Sequence, residues 1–271
     1  KSGGRSLPTV VDGVEGAEDV CALFKDKYDA LYNSVSFDQG DMNDFLNVVS
    51  NNVSNICNSG RCRNHHVMNV EDVRYAVKRL KAGKSDANVH LSSDNFIFAC
   101  YDLFVHLSLL LNMLYKRFNA PNEMLISYMV PIPKNRKKAL SDSNNFRSIA
   151  ISSIVGKVLD HIVLKKHSGV LQTSDLQFGF KPQHSTTQCT FILQEVVDYY
   201  TNRDSPVFVT LLDATRAFDR VHYVKLFRLM LKRGMCPSLI KLLISMYICQ
   251  SLVVRWANVL SCPFSCSNGI K

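Results

Sequence analysis

The residues with the clearest chemical potential lie in VFVTLLDATRAFDRVHY, residues 207–223. Val207 to Leu212 is a continuous apolar, β-branched run of the kind covered on both faces in a sheet, and Asp213 follows it at once. A buried strand ending in a carboxylate holds a charge rigidly at a cleft edge, and such a charge is costly unless a cation neutralises it. Two-metal nucleotidyl transfer needs ligands of this sort, because Mg²⁺ prefers hard carboxylate oxygens. Asp213 is therefore a candidate metal ligand. The plainer reading is an N-cap for a following helix.

The elements around Asp213 follow from apolar spacing. Val20, Leu23, Phe24, Tyr28 and Leu31 predict an amphipathic helix with an acidic outer face within residues 15–32. Residues 34–63, rich in Asn, Ser, Asp and Gly, read as a linker. Asn69 is a good N-cap for a helix through Val73, Val77 and Leu80 to Gly83, and its cations Lys78, Arg79, Lys81 and Lys84 suit either the helix dipole or a phosphate. One long helix is expected over 95–118. Residues 126–133 should form a strand held to an edge by Pro131 and Pro133, leading into the basic loop NRKK. Ser152 or Ser153 caps a helix bearing Val155, Val158, Leu159, Ile162 and Val163, ending near Gly169; Ser185 or Thr186 caps another bearing Ile192, Val196 and Tyr200. Both are expected to pack into the core. After Asp213 a helical pattern runs to about Tyr247, broken at 234–237. This alternation of helices with few strands defines an α+β class.

Composition narrows the function. The 271 residues are 46% hydrophobic and 20% charged, a globular balance that supports one large or two ordinary domains. Net charge is +9, and four Lys/Arg face nine Asp/Glu in residues 1–60 while 28 face 14 in the remainder, so the later part is a candidate polyanion binder. The apolar stretch Phe96 to Leu114 carries Asp102, His106 and Asn112, which argues for a buried helix over a membrane span. The nine cysteines, an odd and scattered set, read as free thiols of an intracellular protein, nuclear or cytoplasmic. Cys57, Cys62, His65 and His66 have a spacing too loose for a zinc finger and are read as loop residues. The chain opens on Lys1, the stretch KSGGRSL is flexible in composition, and the whole is read as a fragment.

Several segments carry a family resemblance. LLDATRAFDRVHY resembles motif A of LINE-type (non-LTR) reverse transcriptases: an apolar strand, Asp, three variable residues, Ala-Phe-Asp, then Val and often His. VPIPKNRKK with DSNNFRSIAISSIVGKVLDHIVL resembles the family's Pro-Ile-x-Lys and Asn-Tyr-Arg-Pro-Ile fingers motif, and LQFGFKPQHSTTQC its Gln-Phe-Gly-Phe segment. VEDVRYAVKRLKAGKSD resembles the basic helix before the fingers. The motifs stand in the family's order.

The resemblance implies a right-hand polymerase: an acidic connector and linker over 1–68, fingers over 69–201, and the first part of an incomplete palm sheet over 202–271. It implies RNA-directed DNA polymerisation, with an RNA template, a DNA primer, dNTP and Mg²⁺. By the same resemblance Lys134 and Arg147 contact the incoming triphosphate, a role their charge suits. Phe218 excludes ribonucleotides at the sugar's 2′ face, Gln177 and Phe180 shape the fingers near the template, Asp213 is the catalytic metal ligand, and Asp219 is structural.

Two departures qualify this. Arg147-Ser148-Ile149 replaces Arg-Pro-Ile, and Ser85-Asp86-Ala87-Asn88-Val89 replaces a glycine-rich stretch. A larger one is that no Asp-Asp pair occurs, so the second metal-binding motif is lacking and SNGIK stops just inside the next expected motif. The isolated chain is expected to be inactive. The alternatives are a non-catalytic nucleic-acid-binding remnant and a helical interaction module.

Overall fold

The computed structural model describes residues 7–59, 62, 67–87 and 91–270. Residues 1–6, His65, His66, Asn88 and Val89, on which parts of the sequence reading rest, lie outside the described residues.

The chain begins with a two-strand hairpin, β1 (Val10–Val11) and β2 (Val14–Glu15), paired antiparallel. Helix α1 (Ala17–Tyr32) follows, burying Val20, Phe24 and Tyr28 as the spacing predicts. The linker expected next is instead a helix, α2 (Gln39–Asn52), continued by one π-helical turn, Val53–Cys57. Asp38 caps it by accepting hydrogen bonds from the Gly40 and Asp41 amides, and Met42, Phe45, Val49 and Val53 form its buried stripe. Four apolar positions within a polar run are enough when tertiary packing supplies the stability.

Helix α3 (Val70–Val77) starts at Asn69 with a capping box to Asp72 and ends six residues before Gly83, the end expected from sequence. The long helix expected over 95–118 is split into α4 (Ser93–Ile97) and α5 (Tyr101–Arg117). The split follows from α4 being tied to the preceding turn, where the Gly83 amide donates to Asp94 and the Lys84 amide to Ser93, with Phe98 to Cys100 as the corner. No helix among the described residues is long and apolar enough to cross a membrane.

A short helix α6 (Asn122–Leu125) leads into β3 (Ile126–Pro133). β3 is interior rather than an edge: β4 (Phe146–Ile151) pairs with it antiparallel, and β5 (Ser251–Trp256) pairs parallel with its first half, Ile126 to Met129. The prolines are tolerated because the pairing with β5 ends at Met129 and Val254, before Pro131 and Pro133, which, two residues apart, turn their missing donors to that same side. β6 (Val259–Leu260) and β7 (Phe264–Ser265) both pair with β5 and complete a five-stranded sheet that the sequence reading had not placed.

Helix α7 (Ile154–Lys166) is capped by Ser153 and by buried Asp86, which accepts from the Ile154 amide at 2.6 Å; Val158, Leu159 and Ile162 are buried. Helix α8 (Thr186–Thr201) has the expected capping box at Ser185 but buries no residue, so the prediction that it packs into the core is corrected. Helices α9 (Tyr223–Lys232) and α10 (Pro237–Ile248) follow, broken at Gly234 (φ 83°).

The continuous strand expected over 207–212 is absent: these residues have no strand pairing, and Phe208 and Leu212 are 92% and 95% exposed. None of the described strands takes the segment as a partner, although β4 keeps an open edge, so its backbone groups are left to water.

Three apolar cores result. Helices α3, α5 and α7 share the first. The second joins α1 to the sheet through Phe24, Phe146 and Trp256, with ring centroids 5.0 to 5.7 Å apart. The third joins α2 to α9 and α10. The architecture is α+β, and its second and third cores each unite residues from both ends of the chain.

Candidate nucleotide-binding cleft

A cleft of about 290 Å³ opens where α1, the β3–β4 hairpin and the loop 216–219 meet. Lys134 follows the end of β3, and Arg147 lies on β4 opposite Ile132. Residues Arg216, Phe218 and Asp219 face them from the loop before α9, and Lys27 reaches in from α1. Three residues singled out from sequence, Lys134, Arg147 and Phe218, are therefore brought together. Lys27 and Arg216 were missed; helical periodicity marks Lys27 as an outer-face residue and only the docking of α1 on the sheet turns it inward.

Hydrogen bonds set the cleft's walls. Lys134 Nζ donates to the Asn144 carbonyl at 3.0 Å, and Lys27 Nζ donates to Ser143 Oγ at 2.6 Å and Asn144 Oδ1 at 2.9 Å. Burial pulls the Lys27 ammonium below the ordinary lysine range, and Arg216 and Lys134 add repulsion against the attraction of Asp12 and Asp142. Cations that repel one another in a half-enclosed space favour a polyanionic ligand, above all one with several phosphate oxygens. Arg216 also holds a left-handed backbone conformation, φ 54°, which an L-residue adopts at a cost.

The loop is fixed from behind. Tyr32 Oη donates to Asp219 Oδ1 at 3.0 Å and lies 3.1 Å from Ser148 Oγ, with burial raising the phenol's pKa. Buried Asn268 donates to the Asp219 carbonyl at 2.6 Å and to the Leu31 carbonyl at 3.1 Å, and it accepts from the Val35 amide. The amides of Gly269 and Ile270 donate to the carbonyls of Val221 and Phe218. At Gly269 (φ 90°) a Cβ would lie 2.8 Å from the Asp219 carbonyl and from the Tyr32 ring, so only glycine fits. Asn268 and Gly269 have no local sequence signal for this role, since their partners lie far away in the chain.

The remaining candidates are placed differently. Phe180 is exposed but its ring meets Phe218 edge-on at 5.5 Å, which puts it at the cleft's rim. The Gln177 side chain donates to the Gly179 carbonyl and its amide to the Ser174 carbonyl, both within its own turn. Asp213 is exposed in the unpaired segment and, among the described residues, its carboxylate has no hydrogen-bond or ion-pair partner. It does not line the cleft. Nor does it cap a helix, since α9 is capped by His222. One exposed carboxylate, with Asp219 engaged by Tyr32, does not make the multi-carboxylate cage that two divalent cations require, so no step through a metal is assigned to these residues.

A second cleft, about 540 Å³, gathers Arg79, Lys81, Lys84, Lys157 and His161 between α3, α7 and the end of β4. Arg79, Lys81 and Lys84, three of the four cations that sequence left divided between helix dipole and phosphate, thus join Lys157 and His161 of α7.

An α+β fold with such cationic clefts, one of them faced by an aromatic side chain, defines a protein suited to nucleotides and nucleic-acid phosphates. Residues 132–270 match the family model described as reverse transcriptase (RNA-dependent DNA polymerase), and the chain belongs to that family. Its members act on nucleic-acid templates and nucleotides with divalent metals. No curated protein matches the chain.

Proposed function

We propose that the chain forms the fingers and the first half of the palm of a non-LTR, LINE-type reverse transcriptase, which extends a DNA primer on an RNA template with dNTP and Mg²⁺. The observation that carries the reading is the convergence of Lys134, Arg147 and Phe218 on one cleft inside the family match. Lys134 and Arg147, with Lys27 and Arg216, hold the triphosphate; Phe218 lies against the sugar, and Phe180 and Gln177 border the template. Asp213 serves as a metal ligand once further carboxylates stand beside it. No Asp-Asp pair occurs in these 271 residues, so on their own they do not polymerise. The nine cysteines, odd in number and without framework spacing, suit an intracellular setting, nuclear or cytoplasmic.

Primer extension on an RNA template tests this. This chain is compared with a version to which an Asp-Asp-bearing palm segment is joined, with and without Asp213→Ala. Extension by the joined version alone, abolished by Asp213→Ala, is the expected result. Extension by the 271 residues themselves would overturn the account of the carboxylates.

A second reading is a binding-only protein. The basic cleft of Arg79, Lys81, Lys84, Lys157 and His161 favours it, because that site holds phosphates without any catalytic group. Failure of both versions to extend a primer, with RNA:DNA binding intact, would establish it.

A further inference from the structure

Cys57, at the end of the π-helical turn, and Cys62 meet Cys236, the N-cap of α10, across 174 residues of chain in the case of Cys62. All three Sγ atoms lie within 4.8 Å of one another, and Cys236 Sγ is 3.8 Å from each of the other two. Thiolates about 2.3 Å from a tetrahedral zinc ion stand roughly 3.8 Å apart, so these separations already match edges of its coordination shell. A disulfide needs a sulfur separation of about 2.0 Å and joins only two of three cysteines. Simple packing of small apolar side chains accounts for burial but not for three sulfurs turned to one point.

The surroundings are those of a ligand set. Cys57 and Cys62 are half-buried and Cys236 is buried, which leaves an entry path on one side. The Leu239 amide in the first turn of α10 donates to Cys236 Sγ and Pro237 occupies the first helical position, while burial raises the free thiol's pKa, so the proton leaves only as a metal takes its place. Tyr115 Oη lies 3.0 Å from the same sulfur, an outer partner that orients it. The site sits at the edge of the core shared by α2, α9 and α10, where a clamp ties the early chain to the late one.

We propose that Cys57, Cys62 and Cys236 bind one zinc ion as thiolates. Three S–H bonds break, three Zn–S bonds form, and three protons pass to solvent, with no change of oxidation state. The site is separate from the nucleotide cleft and does not depend on the proposed polymerase activity.

The test measures metal content of the whole chain purified without chelator, then replaces zinc by Co²⁺. One zinc per chain and a near-ultraviolet thiolate-to-cobalt band are expected. Cys57→Ser and Cys62→Ser should each weaken zinc binding at least about tenfold to a hundredfold, the loss that removal of an outer partner alone produces. Cys189→Ser on α8 should change nothing. Zinc should raise the melting temperature of the wild type and not of Cys62→Ser, while the metal-free forms of both melt alike, which separates a lost ligand from a lost fold. Absence of zinc and of the cobalt band, persistence of the band in both serine variants, or recovery of a Cys57–Cys62 disulfide under non-reducing conditions would each overturn the proposal.

Discussion

At the scale of single residues, Asp72 shows how one carboxylate joins two elements. It closes the capping box of α3 and accepts from Lys165 at 3.1 Å and Lys166 at 2.9 Å on α7. Burial alone would raise its pKa, but the bonds from Lys166, Lys165 and the Asn69 amide outweigh it and hold the carboxyl below the ordinary range. A folded-state pKa below the unfolded value, about 3.9, gives stability that is present above that value and is lost as pH falls through the folded pKa. Asp72→Asn keeps the acceptor and removes the charge. It should cost about 1 to 2 kcal/mol near neutral pH, a modest figure because Lys165 is partly screened by water. Chemical denaturation against pH should show the wild type's advantage shrinking below about pH 4, as its own Asp72 becomes protonated. Equal stability at pH 7 would mean the ion pairs contribute nothing. The cap at Asn69 was legible from sequence because capping is local; the ion pairs were not, since only tertiary packing brings α7 alongside α3.

At the scale of elements, legibility followed the source of each element's stability. Helix α1 announces itself through its apolar stripe and α3 and α7 through stripe and local cap, and all three form, α3 ending at Val77 rather than Gly83. Helix α2 was hidden because its stripe is thin and its stability comes from α9 and α10. The opposite error concerns α8 and residues 207–212, whose apolar pattern is that of buried elements although the residues are exposed. Pattern records what a segment is suited to pack against, and here no described element provides that surface. Segments with few buried contacts open at low free energy, so limited proteolysis should cut first within residues 172–216 and leave α5 and α7 intact. Amide exchange should agree, fast for α8 and slow for α5 and α7. Protection of α8 equal to that of α7 would show that its apolar face is covered in solution.

At the scale of the whole molecule, charge and topology act together. Residues 1–60 are net acidic, yet α1 folds back on the sheet, so its Lys27 joins the cations of the later chain while Glu18 and Asp19 remain exposed at the helix's other end. The two cationic clefts, one at the β3–β4 hairpin and one between α3 and α7, give a phosphate backbone more than one place to bind. Affinity governed by phosphate contacts falls linearly on a log–log plot against salt, with a slope of roughly −0.7 to −0.9 for each contact. Binding of an RNA:DNA duplex should show this, and Lys81→Ala with Lys84→Ala should flatten the slope by about 1.4 to 1.8 while weakening all sequences alike. These lysines are exposed and away from the apolar cores, so the fold should survive their removal. An unchanged slope would place the duplex elsewhere, and the Lys134 and Arg147 cleft would then have to carry nucleic acid as well as nucleotide. A salt-independent affinity would remove the phosphate account from both clefts and leave the helical surfaces, with α8 foremost, as the interacting part of the molecule.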